Sequence, residues 1–276
     1  MEQFGFGAKK SSVDIRDYKL KATVSNIPDT YIIDTIHIKD QKNKSTCVAH
    51  ALSEIVEFNN IKGGDSYRSF STDFIYGCRQ DNRYKSEGMS IRDGLKVIYQ
   101  YGDVTEEEFP GNSDAQTAKD KVNKEFERLV PLAYPNRIST YYKITTEEEL
   151  KQAIYVNGPA ICGIKWYNGA RVNRKHIVVF DENKDYTPHA ILIIGWDKDN
   201  WICQNSWGKF WGYKGLFYVP KEQFARISFD IYGVTDDILS VKKPNKPTTT
   251  VAPTINWLIN WLIKLFHKIF RADMAE

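Results

Sequence analysis

Cys203-Gln204-Asn205-Ser206-Trp207-Gly208-Lys209-Phe210-Trp211-Gly212 is the stretch on which the reading of this 276-residue sequence turns. The amide of Asn205 can hold a histidine in one tautomer, and the indole of Trp207 can shield that contact from water. A histidine suited to it stands upstream, at the head of His189-Ala190-Ile191-Leu192-Ile193-Ile194-Gly195-Trp196. That run is apolar and rich in β-branched residues, so a strand is predicted, with the ring of His189 at its edge in a cleft. Further back, Asp40-Gln41-Lys42-Asn43-Lys44-Ser45-Thr46-Cys47-Val48-Ala49-His50-Ala51-Leu52 sets Cys47 at the start of a predicted helix. Unpaired N–H groups and the macrodipole favour an anion there, and a thiolate so placed is a nucleophile. A lone cysteine is more often a small buried hydrophobe. The argument therefore rests on order: nucleophile, base and orienting amide follow one another as Cys47, His189 and Asn205, with the histidine 142 residues after the cysteine.

Composition agrees with an ordinary folded chain. Hydrophobic residues make up 42% and charged residues 26%, which excludes wholesale disorder, collagen and a disulfide-rich miniprotein. The net charge is +3, but residues 242–276 alone carry +4, from six Lys and Arg against Asp273 and Glu276. The remainder is near neutral and shows no nucleic-acid footprint. Cys47, Cys78, Cys162 and Cys203 form no Cys-x-x-Cys pair, so neither a zinc ribbon nor a redox dithiol is expected. Met1 to Leu20 holds no apolar run of signal-peptide length, so the expectation is a cytoplasmic or virion-associated protein.

Periodicity divides the chain. Helices are predicted from Cys47 to about Asn60, after Ser71 or Thr72, from Ser90 to Tyr101, and over 115–129. One more helix is expected in the second half, from a capping box of Thr145 and Glu148 to Gly158-Pro159. Strands are expected at Ala160–Trp166, Lys175–Phe180, Ala190–Gly195, Trp201–Asn205, Leu216–Val219 and Ile227–Val234. Helices followed by strands imply an α+β fold of two lobes with a cleft between them. Residues 1–26 are expected as a packed arm or a short prosegment. A domain follows over 27–240, helical over about 27–130 and β-rich over 131–240, then a Pro/Thr-rich linker at 241–254.

The three motifs together resemble the papain-like cysteine peptidases. The resemblance rests on Gln41-x5-Cys47, on the His189 element and on Asn205-Ser206-Trp207-Gly208 with Trp211-Gly212, and it covers about residues 14–234. The cysteine-to-histidine spacing falls within the roughly 130–150 residues of the papain type. Arg16-Asp17-Tyr18, Gly88 to Gly94 and Glu106 to Pro110 resemble the prokaryotic and viral branch. The resemblance implies a helical lobe with Gln41 and Cys47, and a β-barrel-like lobe with His189 and Asn205. It implies Cys47 as nucleophile, His189 as its base, Asn205 as the orienting amide, and Gln41 with the Cys47 N–H as oxyanion donors. Trp207 would cover the histidine–asparagine contact, and Gly88 would bind substrate backbone. The implied reaction is hydrolysis of polypeptide substrates through an acyl-thioester, without metal or organic cofactor. Thioester transpeptidation and cell-wall amide cleavage are the alternatives within the same chemistry.

The sequence departs from the family at Lys44, where secreted members carry a cystine partner for the cysteine near Cys78; at Val48, where an aromatic is common; and at Pro188, where an acid is common. His50, one turn beyond Cys47, is expected to pack in the helix rather than act. Residues 255–272 read as an amphipathic helix with a narrow polar stripe of Asn256, Asn260, Lys264, His267, Lys268 and Arg271. Its apolar face is expected to be covered by this domain or a second copy, or by a membrane surface with Trp257 and Trp261 as anchors. The latter would make anchoring, in a virion or at a membrane, the chain's task.

Overall fold

A 16-residue helix that starts at Cys47 organises the first half of the computed structural model, which describes residues 4–12, 24, 26–34, 37–79 and 87–236. Two short strands precede it, β1 (Ala8–Lys9) and β2 (Tyr31–Ile32). Helix α1 (Cys47–Lys62) buries every residue from Cys47 to Glu57. A helix covered on all sides must sit at the centre, and α1 packs on α2 (Thr72–Gly77), on α3 (Ile91–Gln100) and on the β-rich half. The short strand β3 (Met89–Ser90) leads into α3, whose N-cap Ser90 accepts the Asp93 N–H at 3.2 Å. Helix α4 (Ala115–Ala133) starts in the same way at Asp114.

Burial on all sides forces the polar residues of α1 to find partners. Lys39 Nζ lies 2.8 Å from Glu57 and donates to the Phe70 carbonyl, while the Lys39 N–H donates to Glu54 at 2.9 Å. Burial opposes the charge on Lys39, but Glu57 outweighs it and raises the pKa. These bonds fasten the segment that carries Gln41 to the helix that carries Cys47.

The second half begins with β4 (Thr140–Lys143) and α5 (Glu147–Val156). Then come β5 (Ala160–Tyr167), the hairpin β6 (Arg171–Val172) and β7 (Val178–Val179), β8 (Tyr186–Trp196) and β9 (Asn200–Gln204). The last elements are β10 (Leu216–Pro220), α6 (Lys221–Ile227) and β11 (Ser228–Thr235). The main sheet runs β10-β9-β8-β5-β11-β4, with β2 added to β8 where β5 ends. All its neighbours are antiparallel.

The α+β class stands, and four details differ from the sequence reading. Strand β8 starts at Tyr186, so His189 lies within it, opposite Ile164 of β5, and not at its head, because Tyr186 to Pro188 also pair with β5. The sheet is open, not barrel-like: β10 and β4 are its two edges and do not pair with each other, so the hydrogen-bond circuit is not closed. The capping box is formed one residue later than expected, by Thr146 and Glu149, because Thr145 spends its own N–H and hydroxyl on Glu149. The strand expected over Lys175–Phe180 shrinks to Val178–Val179, because the Asn173 side chain captures the N–H groups of Lys175 and Ile177 in a turn. Residues 16–18, 241–254 and 255–272, on which the branch resemblance, the linker and the amphipathic helix rest, lie outside the described residues.

Burial pushes the Glu54 carboxyl up to about 8, against the opposing bond from Lys39 N–H. The folded chain then keeps a proton that the unfolded chain loses above its ordinary carboxylate pKa, so stability falls as pH rises from about 4.5 to 8. Glu54→Gln keeps an acceptor and removes that proton. Thermal melts should show the variant gaining on wild type across this window, by at least about 3 °C at pH 8; a difference that does not change with pH would contradict the assignment.

Candidate active site

Cys47 is the first residue of α1. Thr46 makes no side-chain capping bond, and the first turn holds no acid. The orphan N–H groups there remain directed at the sulfur. The Ala190 N–H, from β8, also reaches Cys47 Sγ at 3.4 Å. Since Ala190 follows His189, this contact ties the thiol to the strand that carries the histidine. Both side chains are 0% exposed. Burial pushes the Cys47 thiol up to about 12, although the N–H groups of Ala190, Val48 and Ala8 favour the thiolate.

The His189 ring is held by aromatic neighbours and one polar bond. It stacks on Trp207 with centroids 4.7 Å apart and meets Trp166 edge-on at 5.7 Å. Its Nε2 pairs with Asn205 Oδ1 at 2.8 Å, immediately after β9. Asn205 Oδ1 also accepts the Ser206 N–H at 2.8 Å. An oxygen accepting both bonds makes Nε2 the protonated nitrogen, which leaves a lone pair on Nδ1. Nδ1 is buried and has no hydrogen-bond partner among the described residues. Burial lowers the imidazole to about 4, against the Asn205 bond. Neutral thiol and neutral imidazole are therefore the favoured state of the structure described.

Gln41 is clamped from both lobes. Its N–H donates to the Ser206 carbonyl at 2.8 Å, and its Oε1 accepts the Ser206 hydroxyl. Its Nε2 donates one hydrogen to the Lys44 carbonyl at 2.7 Å and keeps a second. Lys44 takes no part in a disulfide. Its ammonium instead hydrogen-bonds the Asn112 side chain at 2.8 Å, and Cys78 is a free thiol. His50 packs within α1, with Nδ1 3.0 Å from the Thr46 carbonyl.

What covers this site is the chain's own N-terminal segment. Phe4 stacks on Trp207 at 4.6 Å, and Trp207 Nε1 donates to the Gly5 carbonyl. Phe6 lies edge-on to both His189 and Trp207, each at 5.5 Å. The Gly7 carbonyl accepts the Met89 N–H at 2.9 Å, and β1 then pairs parallel with β3. Further on, the Ser11 N–H bonds the buried carboxylate of Asp230, and Arg92 bonds the Ser12 carbonyl. The glycines permit this path. A Cβ on Gly5 or Gly7 would collide with the carbonyls of Lys44 or Ser45, and Gly88, at φ +92°, has Gly7 against it.

The structure thus brings together Gln41, Cys47, Gly88, His189, Asn205 and Trp207. The sequence reading missed Phe4, Phe6, Trp166 and Ser206. The alternation Phe4-Gly5-Phe6-Gly7 was the one local signal for the first two. Among the described residues, no group of three or more His, Cys, Asp or Glu side chains is arranged to hold a metal.

Residues 29–235 match the papain family cysteine protease family. A cysteine protease of Blomia tropicalis is 26% identical over 67% of this chain and 57% of its own length. An uncharacterized peptidase C1-like protein of Acanthamoeba polyphaga mimivirus is 26% identical over 75% of this chain and 73% of its own. A viral cathepsin of Cydia pomonella granulosis virus is 27% identical over 67% and 54%. The chain spans a little over half the length of the first and third. Among solved structures, xylellain, a cysteine protease from Xylella fastidiosa, superposes with a TM-score of 0.74 at 25% identity, over 85% of this chain and 97% of that one.

Collision of a new Cβ with the 44–45 backbone should lift the arm. In Gly5→Ala/Gly7→Ala, amide exchange at Met89, whose N–H the arm holds, should speed up about tenfold or more while α1 stays protected. Unchanged exchange at Met89 would mean that the arm tolerates the extra methyl groups.

Proposed function

The chain belongs to the papain family of cysteine proteases, and we propose that it hydrolyses peptide bonds through an acyl-thioester on Cys47. The observation that carries this reading is the buried His189 Nδ1, left without a partner while Nε2 is fixed on Asn205. A base held in one tautomer, on the residue before Ala190, whose own N–H reaches the sulfur of Cys47, suits proton transfer from sulfur to nitrogen once the two approach. Cys47 then attacks the scissile carbonyl. The developing oxyanion takes the second Gln41 Nε2 hydrogen and the Cys47 N–H, and His189 returns its proton to the leaving amine. Water attacks the thioester and regenerates the thiol.

The same reading makes residues 4–12 an inhibitory segment. Desolvation under Phe6 and Ala8 keeps thiol and imidazole neutral, whereas the reactive form is the ion pair. The leaving amine departs from His189, so the leaving side of the cleft is the Trp207 side. The arm enters over Trp207 with its N-terminal end, which is the reverse of a substrate's direction.

Hydrolysis of an internally quenched peptide tests both parts. Cys47→Ala should be inactive, His189→Ala should lose about 10²–10⁴-fold and Gln41→Ala about 10²–10³-fold, mainly in kcat. Gly5→Ala/Gly7→Ala should exceed wild type by about tenfold or more. Activity that survives in Cys47→Ala would contradict the thioester, and a double variant no faster than wild type would contradict the inhibitory arm.

A further inference from the structure

Two loops beside the leaving side of the cleft form a cationic, aromatic surface that the chemistry above does not use. The first continues directly from Trp207: Gly208-Lys209-Phe210-Trp211-Gly212-Tyr213-Lys214-Gly215. Trp211 packs edge-on against Trp207 at 5.1 Å, which anchors the loop to the active site. Phe210, at its tip, is 93% exposed, and Tyr213 is exposed as well. The second loop is the tip of the β6–β7 hairpin, with Arg174 and Lys175 exposed. The two are joined: His176 stacks on Tyr213 at 4.3 Å, and the Tyr218 N–H donates to the His176 carbonyl at 2.8 Å.

The charge here is one-sided. No Asp or Glu occurs from 171 to 180 or between Asp199 and Glu222. Arg174, Lys175, Lys209 and Lys214 make no ion pair among the described residues, while Arg128 and Arg226 elsewhere on the surface do. Lys209 and Lys214 lie over the exposed rings of Phe210 and Tyr213, at 5.2 and 5.8 Å. Asp40 packs beside Gly208 and bounds the patch. An aromatic so exposed adds little to the fold, and cations without ion-pair partners on two joined loops repel one another. Both costs are recovered when an anionic partner with apolar side chains settles on the surface.

We infer that this surface is an exosite for an acidic segment of the polypeptide substrate, on the leaving-group side of the scissile bond. The inference rests on the proposed hydrolytic reading and names the class of substrate it favours. Continuity with the cleft points to a polypeptide: a chain passing over His189 and Trp207 runs on to Trp211 and Phe210 without leaving the protein. The arm, with its N-terminal end at Trp207, leaves Phe210 exposed, so the surface is open while the thiol is covered.

The test reads binding first. Full-length Cys47→Ala is titrated with a fluorescein-labelled peptide of about a dozen residues rich in Glu and Phe, and with a Lys-rich control. The acidic peptide should bind in a salt-dependent manner and the control should not. Lys209→Glu/Lys214→Glu and Arg174→Glu/Lys175→Glu should each weaken binding about tenfold or more, with the difference collapsing in about 0.5 M salt. Phe210→Ser should weaken binding and leave its salt dependence intact. Thermal melts check that each variant folds, and Lys→Gln versions repeat the test if a charge reversal does not. Hydrolysis supplies the second readout. With Cys47 restored and the arm displaced by Gly5→Ala/Gly7→Ala, the charge-reversed variants should cleave a short neutral peptide at the unreversed rate. They should lose about tenfold in kcat/KM, through KM, on a substrate with an acidic extension past the scissile bond. Loss on the short peptide in every variant, the unreversed one included, speaks against the hydrolytic reading, whatever binding shows. No binding of the acidic peptide, binding indifferent to the reversals, or binding confined to phosphatidylserine vesicles would overturn the exosite, the last by making it a lipid surface.

Discussion

The bond between His189 Nε2 and Asn205 Oδ1 is the constraint on which the rest of the site depends. It is made where water does not reach, beneath Trp207, so nothing competes for either partner. Asn205 is in turn fixed by the turn after β9, where its oxygen also holds the Ser206 N–H. Ser206 then reaches across to Gln41 through its carbonyl and its hydroxyl. One short peptide stretch therefore orients the ring and locates the Gln41 amide. The Lys39–Glu57 pair and the Glu54 acceptor secure that amide to α1 from the other side. The two halves of the site come from opposite halves of the chain, and these few polar contacts set their register.

Desolvation governs the state of that site. A cysteine at a helix start, with several N–H groups directed at its sulfur, belongs to an environment that favours thiolate. On the proposed reading, residues 4–12 reverse the balance by removing water from both partners, although the Ala8 N–H itself favours the thiolate. On the proposed reading, latency and reactivity are two protonation states of one constellation. The arm shifts the equilibrium between them by the desolvation cost of the ion pair. Glycine at positions 5 and 7 lets the backbone lie flat on residues 44–45, and the two phenylalanines fill the aromatic pocket around His189.

Much of this was legible in local sequence. Helix α1 follows from Val48, Ala51, Leu52, Ile55 and Val56, and β8 from its β-branched run, because both are decided by neighbours within one element. The order Cys47, His189, Asn205 carried the constellation, since Cys47 opens α1, Asn205 follows β9, and His189 precedes the apolar run of β8. The arm's docking was not legible, because its partners are remote in sequence: Gly5 meets Trp207, and Ser11 meets Asp230. The capping box slipped by one because Thr145-Thr146 and Glu148-Glu149 offer two equivalent pairs, and only backbone geometry selects between them. The open sheet was equally hidden, since alternation along a strand says which face is buried but not whether the outermost strands meet.

On the proposed reading, covering by residues 4–12 converts a reactive ion pair into two neutral groups. The pH dependence of Cys47 alkylation by iodoacetamide, followed by intact mass in the wild-type chain and in Gly5→Ala/Gly7→Ala, tests it most directly. Alkylation of Cys47 in wild type should be slow at every pH up to about 9, since burial pushes the covered thiol up to about 12. Alkylation in the variant should be rapid, already under way below pH 7, and delayed to higher pH when His189→Ala is added. Identical pH profiles for wild type and variant, or a variant profile unmoved by loss of His189, would contradict it.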